Sequence, residues 1–316
     1  MTPEEKLNII KYFLFLSAGA CAVVSAVFYL KHKRIALLLK ISMVLSALCL
    51  LALADMYLVE PNWIRTEQVT ISDPALARVL EGTKVVQISD IHVGESLGYR
   101  ENKLIEKVNE LRPDILFITG DFFSDYKTHD ISDMQRAASA LIRSFKVKLG
   151  IYGVLGNYDH FRNVQEREAF MKSSGIRILS KENREIPLPD NKSLWLAGLD
   201  DSWDRYTKAN IRAKLHKSLE NIPEGAPVIL LNHYPDIFGE ATRAGVNLVL
   251  VGHTHGGQIG IPFLIHMSDS ANKSPFMSGL FDAGKTKMYV NRGIGTTNIP
   301  VRFFCRPEIT EFKFDN

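Results

Sequence analysis

The chain has 316 residues, of which 46% are hydrophobic and 23% charged, with a formal net charge of +3. That charge is too small for the electrostatic footprint of a nucleic-acid binder. Cys21 and Cys49 fall in apolar runs and Cys305 stands alone in the rest of the chain, which argues against a disulfide framework and excludes a cysteine metal site.

Hydrophobicity is concentrated at the N-terminus. Residues 8 to 30 (NIIKYFLFLSAGACAVVSAVFYL) and 35 to 59 (IALLLKISMVLSALCLLALADMYLV) are long apolar runs interrupted by Lys11, Lys40 and Asp55. Each reaches the ~20 residues that a helix needs to cross the hydrocarbon layer. A cleaved signal peptide has a shorter apolar region, a positive start and a small-residue cleavage site. This chain begins MTPEEK and continues through two long runs. The second run has no polar face, which fits lipid better than a half-buried helix. The expectation is a membrane anchor over residues 1–60, a transmembrane helical hairpin in the inner membrane. Its tip, Lys31-His32-Lys33-Arg34, is positive. Loops of that kind stay cytoplasmic, which sends everything after residue 60 to the extracytoplasmic side.

Residues 61–316 read as one soluble domain. The strand-like IRTEQVTIS (64–72) opens it. Residues 84–89 (KVVQIS) form a strand, followed at once by Asp90-Ile91-His92. Leu104, Ile105, Val108 and Leu111 are spaced for one helix face over 101–112, and Pro113 ends that helix. Residues 114–119 (DILFIT) are a buried strand leading into Gly120-Asp121. A second helix starts near Ser132, where Ser132 and Gln135 fit a capping box. Met134, Ala138, Leu141, Ile142 and Phe145 line its inner face. Residues 150–155 (GIYGVL) lead into Gly156-Asn157. SLWLAGL (193–199), PVILL (227–231) and NLVLV (247–251) repeat the pattern, the last two leading into Asn232-His233 and Gly252-His253-Thr254-His255. TKMYV (286–290) and EITEFKF (308–314) close the domain. Strands alternating with helices imply parallel sheet with functional groups at the carboxyl ends of the strands. The fold class is α/β, or α+β with two sheets packed face to face.

As candidate ligands the five strand-end segments bring together Asp90, Asp121, Asn157 and four histidines. That set is enough for two divalent cations sharing a carboxylate, and its oxygen and imidazole donors suit Mn²⁺ first, with Fe, Zn or Ni as alternatives. Asp90 and His92 alternate on extended backbone, as do His253 and His255, so that both members of each pair point one way. Glycines 120, 156 and 252 allow sharp turns beside the ions. Two such ions can clamp the attacking and leaving oxygens of a displacement at phosphorus. One histidine alone is usually structural or solvated; five segments in this order are hard to explain as packing.

This order of motifs resembles the calcineurin-like metallophosphoesterase superfamily, over the whole soluble part. The resemblance implies a β-sandwich flanked by helices. It implies that Asp90, His92 and His255 bind one metal, that Asn157, His233 and His253 bind the other, that Asp121 bridges them, and that a bridging hydroxide is the nucleophile. Val59-Glu60-Pro61, Gly252-His253-Thr254-His255-Gly256-Gly257-Gln258, Asn291-Arg292-Gly293-Ile294-Gly295 and Phe304-Cys305-Arg306-Pro307-Glu308-Ile309 narrow the resemblance to membrane-anchored bacterial phosphodiesterases of that superfamily. They are also similar to chlamydial-type UDP-2,3-diacylglucosamine pyrophosphatases of lipid A synthesis.

One position departs from the superfamily pattern. Histidine usually follows the Gly-Asn and serves the leaving group; here Tyr158 stands there, then Asp159 and His160. A phenol donates a hydrogen bond but is a poor acid near neutral pH. His160, with Asp159 at hand, is the expected substitute. Arg162, Lys181 and Arg292 are candidate phosphate contacts. Phe122, Phe123, Phe161, Trp203, Phe276 and Phe281 are candidates for an acyl-chain groove, with core packing as the bland alternative. Asp200 lies on the same rim, as a cap or a substrate contact. The expected partners are a lipid-linked or amphipathic phosphate ester and the bilayer, with no nucleic acid and no obligate protein partner. The function that follows is hydrolysis of a phosphodiester or pyrophosphate, with UDP-2,3-diacylglucosamine the specific substrate. The alternatives are a broad envelope phosphodiesterase and a metal-binding scaffold without turnover.

Overall fold

The computed structural model describes residues 16–27, 36–124, 130–160, 164–200, 208–261, 265–266 and 274–316. Two apolar helices come first, α1 (Leu16–Val27) and α2 (Ala36–Ala54). α2 continues through a π turn (Asp55–Val59) and a 3-10 turn (Glu60–Asn62). The continuous helical run Leu37–Asn62 is 26 residues and is long and apolar enough to cross a membrane. Most of its large side chains, Leu37, Leu51 and Leu58 among them, are exposed rather than packed on the domain. The described part of the first apolar run, Leu16–Val27, is shorter than a span. The remainder of that run and the Lys31–Arg34 tip lie outside the described residues.

The globular part follows as β1 (Arg65–Ser72), α3 (Pro74–Leu80), β2 (Val85–Ile88), α4 (Tyr99–Leu111), β3 (Ile115–Thr119), α5 (Ile131–Ser144), β4 (Gly150–Val154), α6 (Val164–Ser173) and β5 (Ile176–Ile178). Next come β6 (Glu182–Pro187), β7 (Ser193–Leu199), α7 (Lys208–Ser218), β8 (Val228–Asn232), α8 (Phe238–Ala244) and β9 (Leu248–Val251). The short pair β10 (Gly260–Ile261) and β11 (Ile265–His266), then β12 (Gly279–Asp282), β13 (Lys287–Val290) and β14 (Glu308–Asp315), complete the order. One sheet runs β1-β14-β2-β3-β4-β5 and the other β12-β13-β9-β8-β7-β6. Strands β2 to β5 are mutually parallel, as are β7, β8, β9 and β13. The β14–β2, β6–β7 and β12–β13 pairs are antiparallel, so both sheets are mixed.

The near-continuous apolar strands have a physical reason: both faces of each central strand are buried. In β3, Ile115 and Phe117 point into the core between the sheets, while Leu116 and Ile118 point into the core under α4 and α5. In the other sheet, Leu248 and Leu250 of β9 join the central core and Val249 and Val251 face α7 and α8. Four layers result, helix–sheet–sheet–helix. Gln87 of β2 is a buried polar exception. Its Nε2 donates to Thr119 Oγ1 and to the Val251 carbonyl, both at 3.0 Å, and so ties the two sheets together beneath the carboxyl ends of β3 and β9.

The inner face of α5 is as its periodicity indicates, with Met134, Ala138, Leu141, Ile142 and Phe145 all buried. Its start differs. The cap is Asp130, whose carboxylate accepts the Asp133 amide at 3.0 Å, not Ser132. A carboxylate at the first position satisfies an orphan amide as a serine does and adds a favourable charge at the positive helix end. α4 ends where Arg112 turns left-handed, one residue before Pro113.

Candidate metal centre

Loops at the carboxyl ends of β2, β3, β4, β8 and β9 converge on one place between the two sheets. Asp90, His92, Asp121, His233 and His255 are buried there, and Asn157 and His253 are partly exposed. The extended backbone expected for the paired ligands is not what forms. Asp90 and His92 have φ of 50°, Asp121 54°, His253 71° and His255 52°, all left-handed. Side chains disfavour that region, and residues held in it cluster at functional sites where surrounding structure over-determines them. Here the chain must leave each strand and double back within two residues, which extended backbone does not allow. Two glycines are obligatory for closeness rather than turning. A Cβ on Gly156 would overlap the Asp121 carboxylate, and one on Gly252 would overlap Ser89 and the Asp90 carboxylate.

The donor atoms form two overlapping groups. Asp90 with His92 and His255 is one; Asp90 with Asp121 and His233 is the other, and within each group the donor atoms lie within 4.8 Å of one another. Nε2 of His92 and Nε2 of His255 are 3.1 Å apart, and Nε2 of His255 is 3.3 Å from Asp90 Oδ1. Asp121 Oδ2 stands between the groups, 3.3 Å from His233 Nε2 and 3.6 Å from His92 Nε2. His233 Nε2 is also 3.1 Å from Asn157 Oδ1 and 3.2 Å from His253 Nδ1. Asn157 Oδ1 accepts the Tyr234 hydroxyl at 3.1 Å.

Backbone carbonyls set the imidazole tautomers. His92 Nδ1–H donates to the Phe123 carbonyl at 3.1 Å and His233 Nδ1–H to the Thr119 carbonyl at 2.7 Å. A carbonyl only accepts, so in both rings Nε2 is the inward-facing nitrogen, a lone pair in neutral His92 and one that His233 presents once it gives up its proton.

The electrostatics fit a cation. Burial pushes His92 down to about 4 and His253 down to about 3, so both imidazoles are neutral. Burial would lower His233 too, but the Asp121 and Asp90 carboxylates push it up to about 10. Burial would raise Asp90 and Asp121; the facing imidazoles, His255 foremost for Asp90 and His233 for Asp121, hold both below the usual carboxylate range. Anionic oxygens, inward lone pairs and a potential that draws positive charge onto His233 form the donor set of a hard or borderline divalent cation.

The other predicted residues are dispersed around this centre. Asp159 does not serve His160. It is fully buried, and its oxygens accept the amides of Phe122 (2.9 Å), Phe123 (3.3 Å) and Gly156 (2.8 Å). Burial pushes its carboxyl up to about 7 despite those amides. It braces the loops that present Asp121 and Asn157. His160 instead lies beside Asp200, at 3.9 Å, and its Nε2 is buried without a hydrogen-bond partner among the described residues. Burial lowers its pKa. Lys181 Nζ is 3.9 Å from the same aspartate.

Tyr158 packs edge-on to His92, with ring centroids 4.8 Å apart, and its amide donates to Asp121 Oδ1 at 2.8 Å. Arg292 pairs with Glu308 and lies 3.7 Å from Glu67. Its guanidinium therefore lines a separate cleft with Arg65, Phe304 and Arg306, and is not directed at the ligand cluster. Arg162, Phe161 and Trp203 lie outside the described residues. Phe122 and Phe123 are core residues, and Phe276 packs edge-on between Phe238 and Phe281, partly buried against the core of the second sheet.

Sequence reasoning missed the braces. Arg302, fully buried, donates to the carbonyls of Arg292, Gly293, Gly295 and Cys305 and so clamps the loop whose Gly295 amide binds the Asp90 carbonyl at 2.7 Å. Cys305 Sγ donates to the His255 carbonyl at 3.2 Å. Thr297 bonds both Tyr158 and Gln258. The Asn291–Gly295 and Phe304–Ile309 segments signalled that these stretches matter, but not that they act through main-chain carbonyls.

Comparison with known proteins agrees with this geometry. A family model described as calcineurin-like phosphoesterase matches residues 83–257, more than half of the chain and all seven converging side chains. The uncharacterized metallophosphoesterase YkuE of Bacillus subtilis is 31% identical over 255 residues, 80% of this chain and 86% of that protein. An uncharacterized metallophosphoesterase of Campylobacter jejuni, Cj0846, is 31% identical over 304 residues, covering 94% of this chain and 76% of its own. A zebrafish transmembrane protein with metallophosphoesterase domain is 33% identical over 77% of this chain, which spans 55% of that longer protein. Among solved structures, the phosphopantetheinyl hydrolase PptH of Mycobacterium tuberculosis aligns with a TM-score of 0.40 at 13% identity, over 66% of this chain and 88% of that one. With an aspartate–histidine cluster on a two-sheet frame and relatives matched across most of their length, the chain belongs to the calcineurin-like phosphoesterase family and is a metal-dependent phosphoesterase.

Proposed function

We propose that the centre holds two divalent cations, Mn²⁺ foremost, and hydrolyses a phosphodiester or pyrophosphate bond. Asp90, His92 and His255 hold one cation, Asn157, His233 and His253 the other, and Asp121 is shared. The observation that carries this reading is the position of Asp121 Oδ2 between His92 and His233. Divalent cations bound there neutralise phosphoryl oxygens and acidify a water near neutral pH. The chain's own residues do the rest. Thr119 and Phe123 carbonyls fix the imidazole tautomers, Asp159 holds the two ligand loops at their spacing, and Tyr158 covers His92. His160, beside Asp200, is the group that can exchange a proton with the leaving oxygen.

The substrate we propose is amphipathic. Leu37–Asn62 is read as a membrane span, paired with the first apolar run in a hairpin anchor over residues 1–60, with the catalytic domain over 61–316. Tethering raises the local concentration of substrates in the bilayer. UDP-2,3-diacylglucosamine, cleaved to the acylated sugar phosphate and UMP, is the specific compound. A second reading, a phosphodiesterase for envelope esters, is favoured by the positive Lys31–Arg34 tip, since positive loops tend to stay cytoplasmic and a hairpin with such a tip would put the domain on the side away from nucleotide sugars. The detergent-solubilised protein is assayed against UDP-2,3-diacylglucosamine and bis-p-nitrophenyl phosphate, with and without chelator. Chelator-sensitive release of UMP supports the first reading; turnover of the nitrophenyl ester alone supports the second. A reporter fused after Asn316 that is active only in the periplasm excludes the nucleotide sugar.

A further inference from the structure

Beyond residue 60, the exposed large hydrophobic side chains among the described residues are Trp63 (53%), Tyr99 (65%), Phe304 (63%) and Leu280 (42%). The first three encircle one place, the carboxyl end of the apolar helix. Trp63 and Tyr99 line a cleft of about 660 Å³ with Leu58 and Val59 of the helix and with Lys103, Glu106, Lys107 and Glu110 of α4. Phe304 lines the cleft on the other side of the helix end, with Asp55 and Arg306. The Arg306 guanidinium lies 3.6 Å from the Trp63 ring centroid, joining the two sides. The clefts carry acidic side chains as well as basic ones, and it is the exposed aromatic rings at the end of an apolar helix, with Arg306 on the Trp63 ring, that match a membrane–water interface.

The collar is rigidly joined to the helix. Only Trp63 and Ile64 separate the closing 3-10 turn from β1. The Glu60 carboxylate accepts the amides of Phe304 at 2.9 Å and Cys305 at 2.6 Å, and the Arg302 amide donates to the Met56 carbonyl at 3.1 Å. A domain joined this way has no slack to swing off the surface its helix enters. Cys305 in turn touches His255, and Thr297 touches Tyr158, so the segment 297–306 spans from the helix end to the metal centre.

We propose that Trp63, Tyr99, Phe304 and Arg306 form a collar seated in the headgroup layer of a bilayer, holding the metal centre against the membrane surface. The inference rests on the reading of Leu37–Asn62 as a membrane span.

The test is spin-label accessibility in the full chain, reconstituted into phosphatidylethanolamine–phosphatidylglycerol vesicles. Cys21 and Cys49 are replaced by serine, and the buried Cys305 is left in place. Single labels are attached at Phe304→Cys, Tyr99→Cys, Leu45→Cys within the helix, and Glu185→Cys on the far edge strand β6. The expected result is that labels at 304 and 99 collide with dissolved oxygen several-fold more, relative to a water-soluble nickel chelate, than the label at 185 does. Labels at 304 and 99 as aqueous as that at 185, with 45 in lipid, overturn the collar and leave the span standing. A label at 45 that is aqueous as well overturns the span and the collar with it.

Discussion

The Tyr158 and Thr297 hydroxyls are 2.7 Å apart, and this bond holds the phenol edge-on to His92, where relatives of this family are expected to carry a histidine. A phenol near neutral pH donates a hydrogen bond but gives up its proton poorly. Tyr158→His therefore preserves or raises kcat, with the gain growing as the leaving group becomes more basic, since an imidazole is the better acid there. A series of aryl phosphodiesters with graded leaving-group pKa measures it. A uniform loss across the series gives the phenol a positive role of its own.

Asp121→Ala removes the oxygen that both halves of the centre approach. Turnover falls by at least about three orders of magnitude, and bound metal falls from two ions to one or none per chain. Elemental analysis of the purified variant checks the stoichiometry independently of activity. Two retained ions would remove Asp121 from its shared position.

Asp159→Ala strands three buried main-chain amides. Each lost acceptor costs about 1–3 kcal/mol, so the variant loses several kcal/mol of stability and a large part of its activity together. Urea denaturation with metal present reads the first. A variant as stable as the parent would show that the amides find other acceptors.

The metal-free protein has a stability maximum near the ordinary imidazole pKa of about 6.5. His233, raised to about 10, contributes stability that is complete below 6.5 and lost as pH rises toward 10. His92 and His253, depressed to about 4 and 3, contribute stability that is complete above 6.5 and lost as pH falls toward those values. Asp159, raised to about 7, opposes the two histidines between its unfolded value and 7, but is outnumbered two to one. Denaturation midpoints across pH 4–10 trace the maximum. The same logic makes metal uptake near pH 7 release about one proton, from His233, because ligands bind deprotonated. Titration calorimetry in buffers of different ionisation enthalpy reads that proton.

Glu60→Ala removes the acceptor shared by Phe304 and Cys305. The expected outcome is faster proteolytic cleavage near 300–306 and weaker activity, because Cys305 also steadies His255 through its carbonyl. Unchanged cleavage would mean that Arg302 alone secures the segment.

The amino-acid sequence by itself determined the central strands that carry the site and the seven converging side chains, and it left the short or half-exposed strands β5, β6 and β12 unmarked. Central strands buried on both faces must be apolar along their whole length, and ligands placed after them must be polar, so runs such as DILFIT-Gly-Asp are visible without a structure. It also marked the apolar helix, as a long run with few charges. Only the tertiary structure decided what surrounds those ligands. Asp159 could not be told from a catalytic acid until its oxygens were seen on three amides, and Arg292 could not be excluded from the cluster until Glu308 claimed it. The left-handed backbone at Asp90 and His92, the clamp made by Arg302 and the union of Glu60 with Cys305 join residues up to 245 positions apart. Contacts of that range, made largely to main-chain amides and carbonyls that every residue possesses, leave no compositional or periodic mark on the chain.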